Sequence, residues 1–227
     1  MLRCMADPLL DFVVSRLQAQ ADPERAPAMA AYMKTDMPFF GVAATPRRKV
    51  GRASVRAFAP ADRADYEAKV ACLWGHTHRE TKYVAVQFAA QKRFVDAASL
   101  PLYRRLVVEG AWWDFVDEIA AHLVGGALAE APDVVFPVLD RWIEDDVMWL
   151  RRTAILAQLR MGERTDAARL FRYCRARMHE TEFFVRKAIG WALRQYASVD
   201  PEAVRAFVEA EKGSLSGLSY REATKHL

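Results

Sequence analysis

Apolar residues recur along this chain at intervals of three and four with charged residues between them, and no set of alternating short strands with hairpin turns stands out. The pattern predicts an all-α protein. Trp112, Phe115, Val116, Ile119 and Leu123 form one apolar stripe, and Val185, Ile189, Ala192 and Tyr196 form another. Helix starts are expected where an N-capping side chain or a small residue precedes proline: Asp7-Pro8, Asp22-Pro23-Glu24, Thr45-Pro46, Ala131-Pro132-Asp133 and Asp200-Pro201-Glu202. Gly125-Gly126 reads as a turn, as does the segment around Gly75.

Two helical segments repeat. Trp149-Leu150-Arg151-Arg152-Thr153-Ala154 and Phe184-Val185-Arg186-Lys187-Ala188-Ile189 share an order of aromatic, aliphatic, Arg, basic, small or apolar residues, and the offset is about 35 residues. A weaker copy surrounds Arg79-Glu80-Thr81-Lys82-Tyr83-Val84. Such a period predicts a superhelix, or solenoid, of HEAT-like antiparallel helix pairs spanning 1–227 as a single domain. In that arrangement Arg152 and Lys187 are equivalent positions lining one surface.

Composition narrows the class. The 227 residues contain no run near the roughly 20 apolar residues of a membrane span. Met1-Leu2-Arg3-Cys4-Met5 lacks a signal-peptide core, and Met5 offers a second start. Cys4, Cys72 and Cys174 are odd in number and scattered, which suits a reducing cytoplasm. The formal net charge is +4, and residues 141–196 hold 12 Arg/Lys against 7 Asp/Glu. Local basicity of this kind suits a phosphate-binding face, and equally a solvated helix surface.

Trp113 and Asp117 stand one turn apart and off the apolar stripe, so an indole and a carboxylate project together. Trp191 also lies off its stripe, with Lys187 one turn before it and Arg194 close after. Each indole would attract a cationic ligand by about 0.5–2 kcal/mol. Arg152 calls for an anion such as phosphate, which its fork grips bidentately. DNA carrying an alkylated purine satisfies both demands, since ring alkylation makes the base cationic and a good leaving group. A carboxylate then stabilises the oxocarbenium-like sugar or positions water. The same residues also fit two core tryptophans with a surface ion pair at Asp117. Tyr32 either joins the site or is half-buried. Cys72, His76 and His78 match no standard zinc spacing and read as an inter-helix turn; no metal is expected.

The chain resembles the AlkD-type DNA glycosylases of the DNA alkylation repair family. The resemblance runs through Met29–Lys34, Thr45-Pro46-Arg47-Arg48, Trp112-Trp113-Asp114-Phe115-Val116-Asp117, Trp149-Leu150-Arg151-Arg152, Lys187–Arg194 and Leu218–Ala223. It implies a concave basic face binding double-stranded DNA that contains alkylated purines. It further implies a monofunctional, cofactor-free monomer of the cytoplasm, associated with the nucleoid. The implied activity is base excision repair by hydrolysis of the N-glycosidic bond of 3-methyladenine and 7-methylguanine, without base flipping. The catalytic set implied is Asp117, Trp113 and Trp191, with Arg152 as the essential backbone contact and Tyr32, Lys187, Arg194, Thr45 and Arg48 as further DNA contacts. Two positions depart from the family: Ala44 stands where relatives often carry Gln, and Arg151 replaces a commoner neutral residue, adding charge for phosphate.

Two other uses of such a chain compete with this one. A non-catalytic helical-repeat protein binding branched or bent DNA would lack the Trp/Asp set. A protein–protein scaffold would show no salt-dependent DNA affinity. A helix-hairpin-helix glycosylase fits poorly, because no glycine-rich hairpin precedes a catalytic Asp.

Overall fold

Helix boundaries follow local capping where nothing tertiary intervenes. In the computed structural model, which describes residues 7–227, Asp7 caps α1 (Pro8–Gln18) by accepting from the amides of Leu9 and Leu10. Asp200 caps α13 (Pro201–Ala210) through the Ala203 amide, and α9 (Pro132–Trp142) begins where expected. Met1, Cys4 and Met5 lie outside the described residues. Among those described, every regular element is helical, and no helix is long and apolar enough to cross a membrane.

Three expected boundaries move. Asp22-Pro23 forms a tight turn, with Asp22 Oδ1 accepting from the Arg25 amide and the Asp22 amide donating to Phe40 O; α2 starts only at Ala26 (Ala26–Met33). Gly41 makes that approach feasible, since at φ +85° an added Cβ would lie 2.0 Å from Asp22 O. Helix α3 (Ala44–Ala57) starts one residue before Thr45, with Ala43 at the N-cap position. Gly125-Gly126 is no turn but the start of α8 (Gly125–Glu130), which continues from α7 (Trp113–Glu118) through a π-helical stretch, Ile119–Val124. Gly125 is required by packing: a Cβ there would meet Ala157 O at 2.6 Å.

The chain divides into two compact units, which meet in sequence at Phe94 and Val95. The first contains α1, α2, α3, α4 (Arg63–Trp74) and α5 (Arg79–Ala89). Its core gathers Leu9, Val13, Leu17, Val50, Tyr66, Val70, Leu73, Val84 and Phe88. Glu80, fully buried, accepts from the amides of Phe40, Gly41 and Val42, and so fixes the segment leading into α3. His76 and His78 lie in the turn after α4, as expected, and stack on Phe40.

The second unit is built of successive helix pairs. Helix α6 (Leu100–Gly110) pairs with α7, α9 (Pro132–Trp142) with α10 (Met148–Leu156), α11 (Ala167–Arg177) with α12 (Phe183–Tyr196), and α13 with α14 (Gly217–Ala223). The second members, α7, α10, α12 and α14, pack side by side in that order. Leu150 and Val185, equivalent in the 35-residue repeat, are both fully buried between them. This is the helical-repeat construction that the sequence period predicts.

Gly190 marks the tightest of these junctions. A Cβ there would lie 2.4 Å from Glu222 Cβ and 2.8 Å from Ser219 O on α14. Gly190→Ala should therefore destabilise the protein by about 1–3 kcal/mol, although alanine in an open helix would gain about 1 kcal/mol. Urea unfolding would measure it; a stabilised variant would refute the close approach.

Candidate active site

Asp117 lies on the last turn of α7 with its side chain 18% exposed. Both of its oxygens are engaged by Arg152 of α10: Nε donates to Oδ1 at 2.8 Å and Nη2 donates to Oδ2 at 2.9 Å. The third arm of the same guanidinium, Nη1, donates to the Phe184 carbonyl at the start of α12. Arg152 is only 3% exposed. One planar side chain thus ties three neighbouring helices together.

Burial pushes the Asp117 carboxyl above the usual carboxylate range; Arg152 pulls it back, and Asp114 adds to the upward push. Burial wins because the carboxylate has exchanged most of its water for a single partner.

The Arg152 fork, expected to contact the DNA backbone, faces the Asp117 carboxylate here, and its charge lies between helices. Arg151, whose extra charge suggested a further phosphate contact, is also consumed internally. Its Nη1 donates to the carbonyls of Asp145 and Asp146, both at 2.8 Å, and the guanidinium pairs with Glu180. Lys187 and Arg194, from α12, converge on one carboxylate, Glu222 of α14. These cations hold Glu222 below its usual range.

Trp113 opens α7 one turn before Asp117 and is half-buried. Trp191 is half-buried on α12, seven residues beyond Phe184 and hence on the same side of that helix. Neither indole belongs to the fully buried core. Trp112 sits at the N-cap position of α7 and clusters with Trp149 and Phe184 at centroid distances of 5.0–6.1 Å. Tyr32 is not half-buried: it is 71% exposed on α2. Thr45 and Arg48 are exposed on α3. These three belong to the first unit and the remaining candidates to the second.

Sequence reasoning missed Glu222, Glu180 and the Phe184 carbonyl. The signal for Glu222 was present: Asp117, Arg152, Lys187 and Glu222 follow one another at intervals of 35, and each adjacent helix pair is joined by opposite charges or by the Arg152–Phe184 bond.

The family model described as DNA alkylation repair enzyme matches residues 13–227. A comparison with curated proteins finds no significant match. Among solved structures, a predicted DNA alkylation repair enzyme from Enterococcus faecalis is similar with 29% identity and a TM-score of 0.85, over 92% of this chain and 97% of that one. AlkD2 from Streptococcus mutans is similar in fold at 16% identity and a TM-score of 0.65, over 88% of this chain and 98% of that one. The protein smu.31 from Streptococcus mutans UA159 shows the same identity and TM-score over 79% and 92%.

Removing Arg152 leaves Asp117 partly buried without its partner. Asp117 has a raised folded pKa, so its contribution to stability is full below the unfolded value of about 3.9 and is lost as pH rises through the folded value. Arg152→Met raises that folded value further. The variant should lose about 3 kcal/mol near pH 7 and distinctly less near pH 4, by denaturant unfolding at both. Equal losses would mean that the Asp117 charge is not what Arg152 stabilises.

Proposed function

The chain belongs to the DNA alkylation repair enzyme family, and on that premise we propose that it is a DNA glycosylase releasing cationic alkylated purines from duplex DNA. The observation that carries this reading is the Asp117 carboxylate, held at both oxygens by Arg152, one turn from the half-buried Trp113.

The chemistry follows from charge. A purine alkylated at a ring nitrogen is already positive and needs no proton donor to leave. Its departure moves positive charge onto the sugar, where a fixed carboxylate lowers the barrier. The bidentate clasp of Arg152 holds the carboxylate plane in place, so no reorganisation is required as charge develops. Trp113 and Trp191 supply cation–π attraction that a neutral purine does not receive. Selectivity for 3-methyladenine and 7-methylguanine would then rest on lesion charge rather than on pocket shape. A base that is cationic in the duplex gains little from extrusion, which favours a reaction without base flipping, unlike most base-modifying enzymes. Water attacks the sugar, the N-glycosidic bond breaks, and an abasic site remains.

Asp117→Asn should abolish release of 7-methylguanine from methylated duplex, followed by chromatography of the freed bases, while largely retaining DNA affinity. Undiminished release would remove Asp117 from the mechanism. Binding by the parent protein with no base release would favour a non-catalytic DNA binder.

The reactive form is the ionised carboxylate, and Asp117 is raised above its usual range. The rate should fall in acid with an apparent pKa higher than the about 3.9 of a free aspartate. A rate constant under single-turnover conditions that stays flat down to pH 4 would contradict this assignment.

A further inference from the structure

Lys187, Trp191 and Arg194 share one stripe of α12, within an arc of about 60° at 100° per residue. Elsewhere in this protein similar spacing brings a cation to a ring. The Arg16 guanidinium covers the Phe12 ring at 3.5 Å, and that of Arg79 stands 5.9 Å from the Tyr83 centroid. Each of those pairs is four residues apart on one helix, as are Lys187 and Trp191. Trp191 departs from the pattern. Among the described residues no cation lies over its indole, although one stands on either side along the stripe.

Glu222 of α14 is the cause. Its Oε1 accepts from Lys187 Nζ and its Oε2 accepts from Arg194 Nη1 at 2.6 Å, so one carboxylate draws both cations to itself. Gly190 clears the space for it, since a Cβ there would lie 2.4 Å from Glu222 Cβ. The carboxylate is thus seated against the residue that precedes Trp191. The hydrogen bond from Lys187, aided by the charges of Lys187, Arg194 and Lys225, holds Glu222 below its usual range. It is therefore ionised at neutral pH.

The effect at the indole follows from charge. A ring face engaged by a side-chain cation is closed to a cationic ligand. Two uncompensated cations beside the ring would also repel such a ligand. With Glu222 in place, two cations and one carboxylate leave a net charge of +1 rather than +2. A neutral purine receives no cation–π attraction, so an open indole favours lesions by their charge.

We propose that Glu222 is a positioning residue that sets lesion specificity: by drawing Lys187 and Arg194 aside, it keeps the Trp191 indole open to a cationic purine. The proposal deepens the glycosylase reading above and rests on it. It gives a part in the chemistry to a residue that lies 31 positions beyond Trp191 and touches it only through its neighbours on α12.

The test follows 7-methylguanine release in a single turnover at saturating protein, with affinity for an undamaged duplex measured beside it. Glu222→Gln should slow release about tenfold, the worth of roughly one cation–π contact. The undamaged duplex should bind at least as tightly as to the parent, because its phosphates meet two cations freed from their carboxylate. Rate and affinity lost together would mean that Glu222 only secures α14, and would overturn the proposal, as would an unchanged rate. In a Trp191→Leu background Glu222→Gln should cost no more than about threefold, since the ring it acts through is gone; a cost as large as in the parent also refutes it. Glu222→Asp keeps the charge with a shorter reach and should show a smaller loss of the same kind. It replaces Glu222→Gln in both backgrounds if that variant does not melt cooperatively. A parent that frees no base from methylated duplex overturns the glycosylase reading itself; with an active parent, the outcomes above bear on Glu222 alone.

Discussion

The bidentate pair between Asp117 and Arg152 is the interaction on which the second unit turns. It joins α7 to α10, and the remaining arm of the guanidinium reaches the start of α12. A partly buried carboxylate on a helix surface is expensive to ionise without a partner, and a nearly buried guanidinium is expensive without an acceptor. Each solves the other's problem. What remains is a carboxylate whose position is fixed by three helices, whose ionisation is costly, and whose neighbour one turn back is an indole. A group that must present negative charge in a defined direction at a semi-dry surface is built in this way.

The fold was largely legible from the chain because helical repeats are local. Apolar spacing gave the helices, and Asp7 and Asp200 gave two starts through hydrogen bonds to amides two or three residues away. The errors fell where distant residues intervened. Asp22-Pro23 became a turn because Phe40 and Gly41 pack against it, and Gly125-Gly126 stayed helical because Ala157 leaves no room for a side chain. Within the candidate site, the placing of Trp113 beside Asp117 is a matter of helical spacing alone. The partners of Arg151, Arg152, Lys187 and Arg194 were not visible, because each lies 28 to 35 residues away along the chain. Counting basic residues in 141–196 does not sort the cations held by carboxylates, such as Arg151 and Arg152, from exposed Arg141, Arg160 and Arg164, which no ion pair engages among the described residues.

That distinction separates two kinds of cation in this molecule. Matched cations, such as Arg152 and Lys187, hold helices in register and shape local carboxylates. Cations with no ion pair among the described residues, such as Arg48, Arg52 and Arg56 of α3, repel one another at i,i+4 along their helix. A sequence writes both as Arg and Lys; only the placement of carboxylates sorts them.

The π-helical stretch Ile119–Val124 has a consequence of its own. It lies between two fixed obligations: Asp117 must face Arg152 on one side, and Gly125 must lie against the Ala157 carbonyl on the other. One residue more or less in a regular α-helix would rotate one of these away from its target by about 100°. The wider turn absorbs that phase slip, so a single unbroken helix serves as both the mount of the Asp117 carboxylate and a spacer between neighbouring layers.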